Sequence, residues 1–159
     1  MRDAIERLSR DQVLDHGQGF AVISEAVWWV TIVDATLVRY HRHAYKSGMK
    51  SQAPARRGAI EGTFAGMRFV RNQMGYHLDP ADFIQPEQSQ PGAGHGGVMA
   101  WTWRPVSEPD LGSLPPRGQA WEMTRYGAYQ AQLAGHTIGE TFGEAAAFLK
   151  LAAPYPAAA

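Results

Sequence analysis

Apolar positions recur at three- and four-residue steps through most of this chain, the spacing that draws a stripe along one side of an α-helix. From Phe20 to about Tyr45 the segment is apolar almost all round, and its acids are Glu25 and Asp34. A helix of that kind is buried on several sides, at the centre of a bundle or in a dimer interface. Ile23, Val27, Val30 and Leu37 share one line of it, and Asp34 falls on the same line. The segment Arg56 to Met74 repeats the pattern. Wound at about 100° per residue, Ile60, Phe64, Met67 and Met74 lie within roughly 40° of one line, and Arg71 lies inside that arc. A guanidinium on a core stripe needs an anionic partner, because an unpaired buried charge costs several kcal/mol. Either Asp34 or a phosphate can serve.

The rest of the chain reads in the same way. Met1 to Asp15 predicts a short helix with Ile5 and Leu8 inward, and Lys46 to Ala55 a loop. Gly75 ends the Arg71 helix, and Asp79-Pro80 opens a short turn. Residues 85–97, with two Pro and four Gly, predict a flexible loop. Val98 to Val106 alternates as a strand and requires a hairpin partner nearby; a Pro-rich loop follows, over about 105–118. Gln119 to Leu133 predicts a helix anchored by Trp121, Tyr126, Tyr129 and Leu133, closed by Gly135. Thr137-Ile-Gly-Glu140 has the capping-box spacing. The last helix runs to about Ala152 and buries Ile138, Phe142, Ala145 and Leu149. The expectation is a mostly α protein: a bundle of about four to five helices with a small β-hairpin insertion, one domain over 1–159.

Composition narrows the function classes. The chain has 159 residues, 45% hydrophobic and 19% charged, with a formal net charge of zero. Any polyanion site must therefore be local. Without cysteine there are no disulfides, thiolate metal sites or cysteine nucleophiles. His41 and His43 sit two apart and do not share a helical face, so no metal site is expected there. Gly92-x-Gly94-x-x-Gly97 spells a dinucleotide fingerprint but precedes a strand rather than a helix. Nothing resembles a signal peptide, and the apolar run Ala26 to Val38 is short and contains Asp34. These features lead to the expectation of a soluble, cytoplasmic protein without a membrane role. Trp101 and Trp103 share a strand face and read as core or dimer packing rather than a base-stacking platform.

Arg71-Asn72-x4-His77 resembles the signature of the HEPN family (higher eukaryotes and prokaryotes nucleotide-binding domain): Arg, a polar residue, a few residues, then His. The resemblance covers roughly Phe20 to Leu78. It implies an all-α bundle, a homodimer, and metal-independent RNA cleavage of a toxin or phage-defence kind at a composite site, with no cofactor. An antitoxin or other protein partner goes with that class. Arg71, Asn72 and His77 carry over as site residues, with Asp34 and Arg68 in support. In that reading His77 is the general base or acid at a 2′-hydroxyl, and Arg71 stabilises charge on the phosphate. A second copy of the motif, Arg10-Asp11-x4-His16, puts its Arg toward the polar side of its helix. Helical position singles out Arg71. Two further readings stay open: a non-catalytic module that binds nucleotide, RNA or protein, and an assembly protein of prophage or virion origin.

Overall fold

The computed structural model describes residues 16–74, 82–86 and 101–153. In chain order the elements are α1 (His16–Tyr40), α2 (Arg42–Lys50), α3 (Pro54–Met74), β1 (Ile84–Pro86), β2 (Trp101–Trp103), α4 (Pro116–Gln132) and α5 (Ile138–Ala152). The architecture is a helical bundle with one small antiparallel sheet, as the periodicity predicts. The expected helix over Met1 to Asp15, the turn at Asp79-Pro80 and most of the 85–97 loop lie outside the described residues.

The core stripe of α1 is in place: Ile23, Val27, Val30 and Leu37 are buried, and Asp34 is fully buried beside them. This helix does not run on to Tyr45. It breaks at His41, whose φ of −126° and ψ of 37° leave the helical region. The sequence offers no glycine or proline there, so the cause is tertiary. Eleven residues of unbroken helix would hold Asp34 and Tyr45 about 16 Å apart along the axis. With the break, the Tyr45 hydroxyl donates to Asp34 Oδ1 at 2.7 Å. Helix α2 then continues to Lys50, through part of the segment read as loop, and buries Met49. Its Tyr45 ring meets Phe148 of α5 edge-on at 5.3 Å.

Helices α3 and α4 form the most extensive contact in the bundle. Their crossing is close because Gly66 lacks a side chain. A Cβ there would stand 2.8 Å from Leu133 Cδ1 and 3.0 Å from Tyr129 Cα. Alanine at that site would have to push the α4 backbone away. Around the crossing, Phe69, Phe83, Tyr126 and Tyr129 pack ring against ring.

Of the strand read over Val98 to Val106, Trp101–Trp103 is strand and 104–106 is not, while 98–100 lie outside the described residues. The strand pairs Trp103 with Ile84 and Trp101 with Pro86, which supplies the required hairpin partner. Both indoles are buried, and Trp103 Nε1 donates to Thr141 Oγ1 at 2.8 Å. Gly135, at φ 80°, ends the turn after α4 and donates its amide to the Trp103 carbonyl at 2.8 Å. Thr137 caps α5 by accepting from the Glu140 amide, and the four core positions expected in that helix are all buried.

Among the described residues one helix, over Gly19–Tyr40, is long and apolar enough to cross a membrane by length and composition; 44% of its most apolar window is buried inside the fold.

Candidate functional site

Two charged networks flank the last two turns of α3. The first is centred on Asp34. Its carboxylate accepts from Tyr45 through one oxygen and forms an ion pair with Arg68 through the other. The expected Arg71–Asp34 pair does not form. Helices α1 and α3 run antiparallel, so the level of Arg71 is met by Trp28, and Asp34 is met by Arg68. Arg68, read as a supporting residue, is therefore the structural counter-ion. Burial, followed by the hydrogen bond and charge of Asp34, holds the Tyr45 phenol well above the usual tyrosine range.

The second network is centred on Glu122 of α4, only 5% exposed. Asn72 Nδ2 donates to both its oxygens, at 3.2 and 3.1 Å. Arg125 Nη1 donates to Oε2 at 2.8 Å, one helical turn along. Asn72 in turn accepts from Arg71 Nη2 at 3.3 Å. The motif asparagine is thus a bridge between Arg71 and a buried carboxylate.

Arg71 itself lies at the edge of the core and is partly exposed. The buried face of α3 is rotated from the expected line, because α4 draws in Thr63, Gly66, Phe69 and Val70. Met74, read as core, is only partly buried. The guanidinium stands 5.8 Å from the centre of the Trp28 ring, within cation–π range. Among the described residues no carboxylate reaches Arg71 at ion-pair distance. Burial lowers its affinity for its proton, and the charges of Arg125 and then Arg68 lower it further, with Glu122 opposing. Among the described residues, the guanidiniums of Arg68, Arg71 and Arg125 share the carboxylates of Asp34 and Glu122, and Arg71 is the one that neither carboxylate pairs with.

Asn72, Gln73, Glu122 and Arg125 also line an open cavity of about 420 Å³, together with Leu114 and Trp121. Trp121, read as a core anchor, is 56% exposed and carries Arg117 over its ring at 4.9 Å. Arg56 and Arg57 lie some 21 Å down α3 from Arg71 and do not join the site.

His77, the motif histidine, lies outside the described residues, as do Arg10 and the glycines of 92–97. The described residues hold no cluster of three or more His, Asp or Glu that could bind a metal. Sequence reasoning missed Glu122, Arg125 and Trp28. Glu122 was within reach of the same reasoning that singled out Arg71: on a helical wheel it falls about 20° from Tyr129, inside the stripe formed with Tyr126 and Leu133.

The comparisons with known proteins give no match: no family model fits the chain, and no curated protein or solved structure is significantly similar to it.

Proposed function

We propose that the end of α3 binds the phosphodiester backbone of RNA through Arg71, and that Arg71, Asn72 and His77 together form the site of a metal-independent endoribonuclease. The observation that supports this reading is the state of Arg71. The nearby carboxylates, Asp34 and Glu122, are engaged by Arg68 and by Asn72 with Arg125. That leaves a partly exposed, like-charge-crowded guanidinium with a neutral amide and an indole face as neighbours. A phosphate oxygen would receive the charge-assisted hydrogen bonds that no carboxylate among the described residues takes from Arg71. Trp28, half exposed, offers a ring on which a base can stack. In the cleavage step His77 takes the 2′-hydroxyl proton as that oxygen bonds to the adjacent phosphorus; the phosphorus bond to the 5′-oxygen breaks, water protonates the leaving oxygen, and the products are a 2′,3′-cyclic phosphate and a 5′-hydroxyl. Such an activity in a cell would belong to a toxin or phage-defence protein, inhibiting growth until a partner restrains it.

The test uses the full chain with a fluorescent single-stranded RNA at low salt and in the presence of a chelator. Wild type should bind and cleave; His77→Ala should bind without cleaving; Arg71→Ala should lose both. Cleavage persisting in the two variants would overturn the assignment of residues. Salt-sensitive binding by wild type with no turnover would replace the nuclease with an RNA-binding module.

A further inference from the structure

The cavity beside the end of α3 carries more chemistry than a phosphate contact uses. Its volume of about 420 Å³ falls within the range of small-molecule sites, about 300–1,000 Å³. Trp121 gives the wall an exposed indole, and Arg117, which lies over that ring, is not part of the wall. Leu114 adds a second apolar surface. We propose that the cavity is a guanine subsite, in which the base stacks on Trp121 while Asp110, Gln73 and Arg125 read its edges. The proposal rests on the RNA reading of Arg71 and adds which base the strand carries there.

The hydrogen-bonding groups left over in the cavity select the base. Asp110 accepts the Gly112 amide through Oδ1 at 2.9 Å, and among the described residues nothing donates to its Oδ2. A carboxylate only accepts, so the ligand edge set against it must donate. Gln73 makes no side-chain hydrogen bond among the described residues. Arg125 engages Glu122 through Nη1 at 2.8 Å, and the other N–H groups of its fork remain to donate. The cavity therefore sets an acceptor beside donors. Guanine has the matching outline: N1–H and the N2 amino group donate, while O6 and N7 accept a fork such as arginine's. Adenine would turn its amino group toward the arginine and an acceptor toward the carboxylate. Uracil and cytosine would place a carbonyl oxygen where guanine has the N2 amino group.

Asn72 joins this cavity to the phosphate site. It lines the cavity, donates to Glu122 and accepts from Arg71 at 3.3 Å. Glu122 thus holds Arg125 directly and Arg71 through Asn72, so a single buried carboxylate aligns the base-reading and the phosphate-binding cations.

The test measures equilibrium binding of the full chain, by fluorescence anisotropy at low salt, to short uridine RNAs with one central guanosine, adenosine, inosine or 7-deazaguanosine. Every 2′-hydroxyl is methylated so that none is cleaved. The guanosine RNA should bind about tenfold or more tighter than the adenosine RNA. Inosine, without the N2 amino group, and 7-deazaguanosine, without N7, should each lose part of that margin. Asp110→Asn keeps the oxygen that receives the Gly112 amide; it should erase the preference while leaving affinity for all-uridine RNA unchanged. Trp121→Ala should weaken the guanosine RNA about fivefold or more, with both variants folded by circular dichroism. A second arm titrates guanosine and adenosine 5′-monophosphates calorimetrically, which reports on the cavity without a strand. Equal affinity for the guanosine and adenosine RNAs, or a preference that survives Asp110→Asn, would overturn the guanine subsite and leave the RNA reading standing. Guanosine monophosphate binding wild type but not Asp110→Asn, with no RNA bound, would keep the subsite for a free nucleotide and overturn the RNA reading. Binding of neither probe would overturn both.

Discussion

Arg68 and Arg71 stand one turn apart on the same helix, and their surroundings give them opposite roles. Arg68 faces a carboxylate that is fully buried and has a second donor in Tyr45. Its charge is consumed inside the fold. Arg71 faces an indole and an amide whose own donor group is committed to Glu122. Among the described residues no carboxylate pairs with its charge. The difference teaches that an arginine's role follows from what its neighbours have already satisfied, more than from how deeply it sits.

That contrast can be broken at several points. The largest effect should come from Arg68→Ala, which strands the Asp34 carboxylate in the core; a loss of about 3–5 kcal/mol should appear in urea denaturation. If Arg68→Ala is neutral, Asp34 does not depend on it and the contrast collapses. Glu122→Ala should cost about 1–3 kcal/mol, because it leaves the Asn72 amide and Arg125 without their acceptor. It should also loosen Arg71, so RNA affinity should fall along with stability. Tyr45→Phe should cost about 1 kcal/mol and flatten the alkaline limb of the stability curve. The sign follows from burial beside Asp34, which raises the folded-state pKa of the phenol. Its contribution is complete below the unfolded tyrosine value of about 10 and is lost as pH rises beyond it. Wild type should therefore weaken above about pH 10 more steeply than the phenylalanine variant. Arg71→Ala should have the smallest effect on stability, within about 0.5 kcal/mol, while removing RNA binding. A large loss of stability in that variant would make Arg71 a second structural arginine.

The fold was legible where burial alone decides. Asp34 with Ile23, Val27, Val30 and Leu37, and the capped last helix with Ile138 and Phe142, follow from period and capping chemistry that need no knowledge of neighbours. The break at His41 was hidden because the residue itself has no preference for it; it exists so that Tyr45 can reach back to Asp34. The site was half legible. A misplaced charge marked both Arg71 and Asp34, but which cation answers Asp34 depends on the antiparallel register of α1 and α3, and a single helix's periodicity carries no register. Trp121 shows the opposite failure: its size suggested an anchor, yet it lies on the rim of an open cavity.

Gly66 makes the α3–α4 crossing a fulcrum. Glu122 lies two turns from Tyr129, the residue against which that glycine rests, so α4 is a lever of about 10 Å between pivot and carboxylate. A tilt of only 5° would swing Glu122 by about 1 Å, more than the hydrogen bonds from Asn72 can follow. The missing methyl of one glycine thus holds the aim of Arg71 from more than a helical turn away, and Gly66→Ala should detune the site without touching any residue in it.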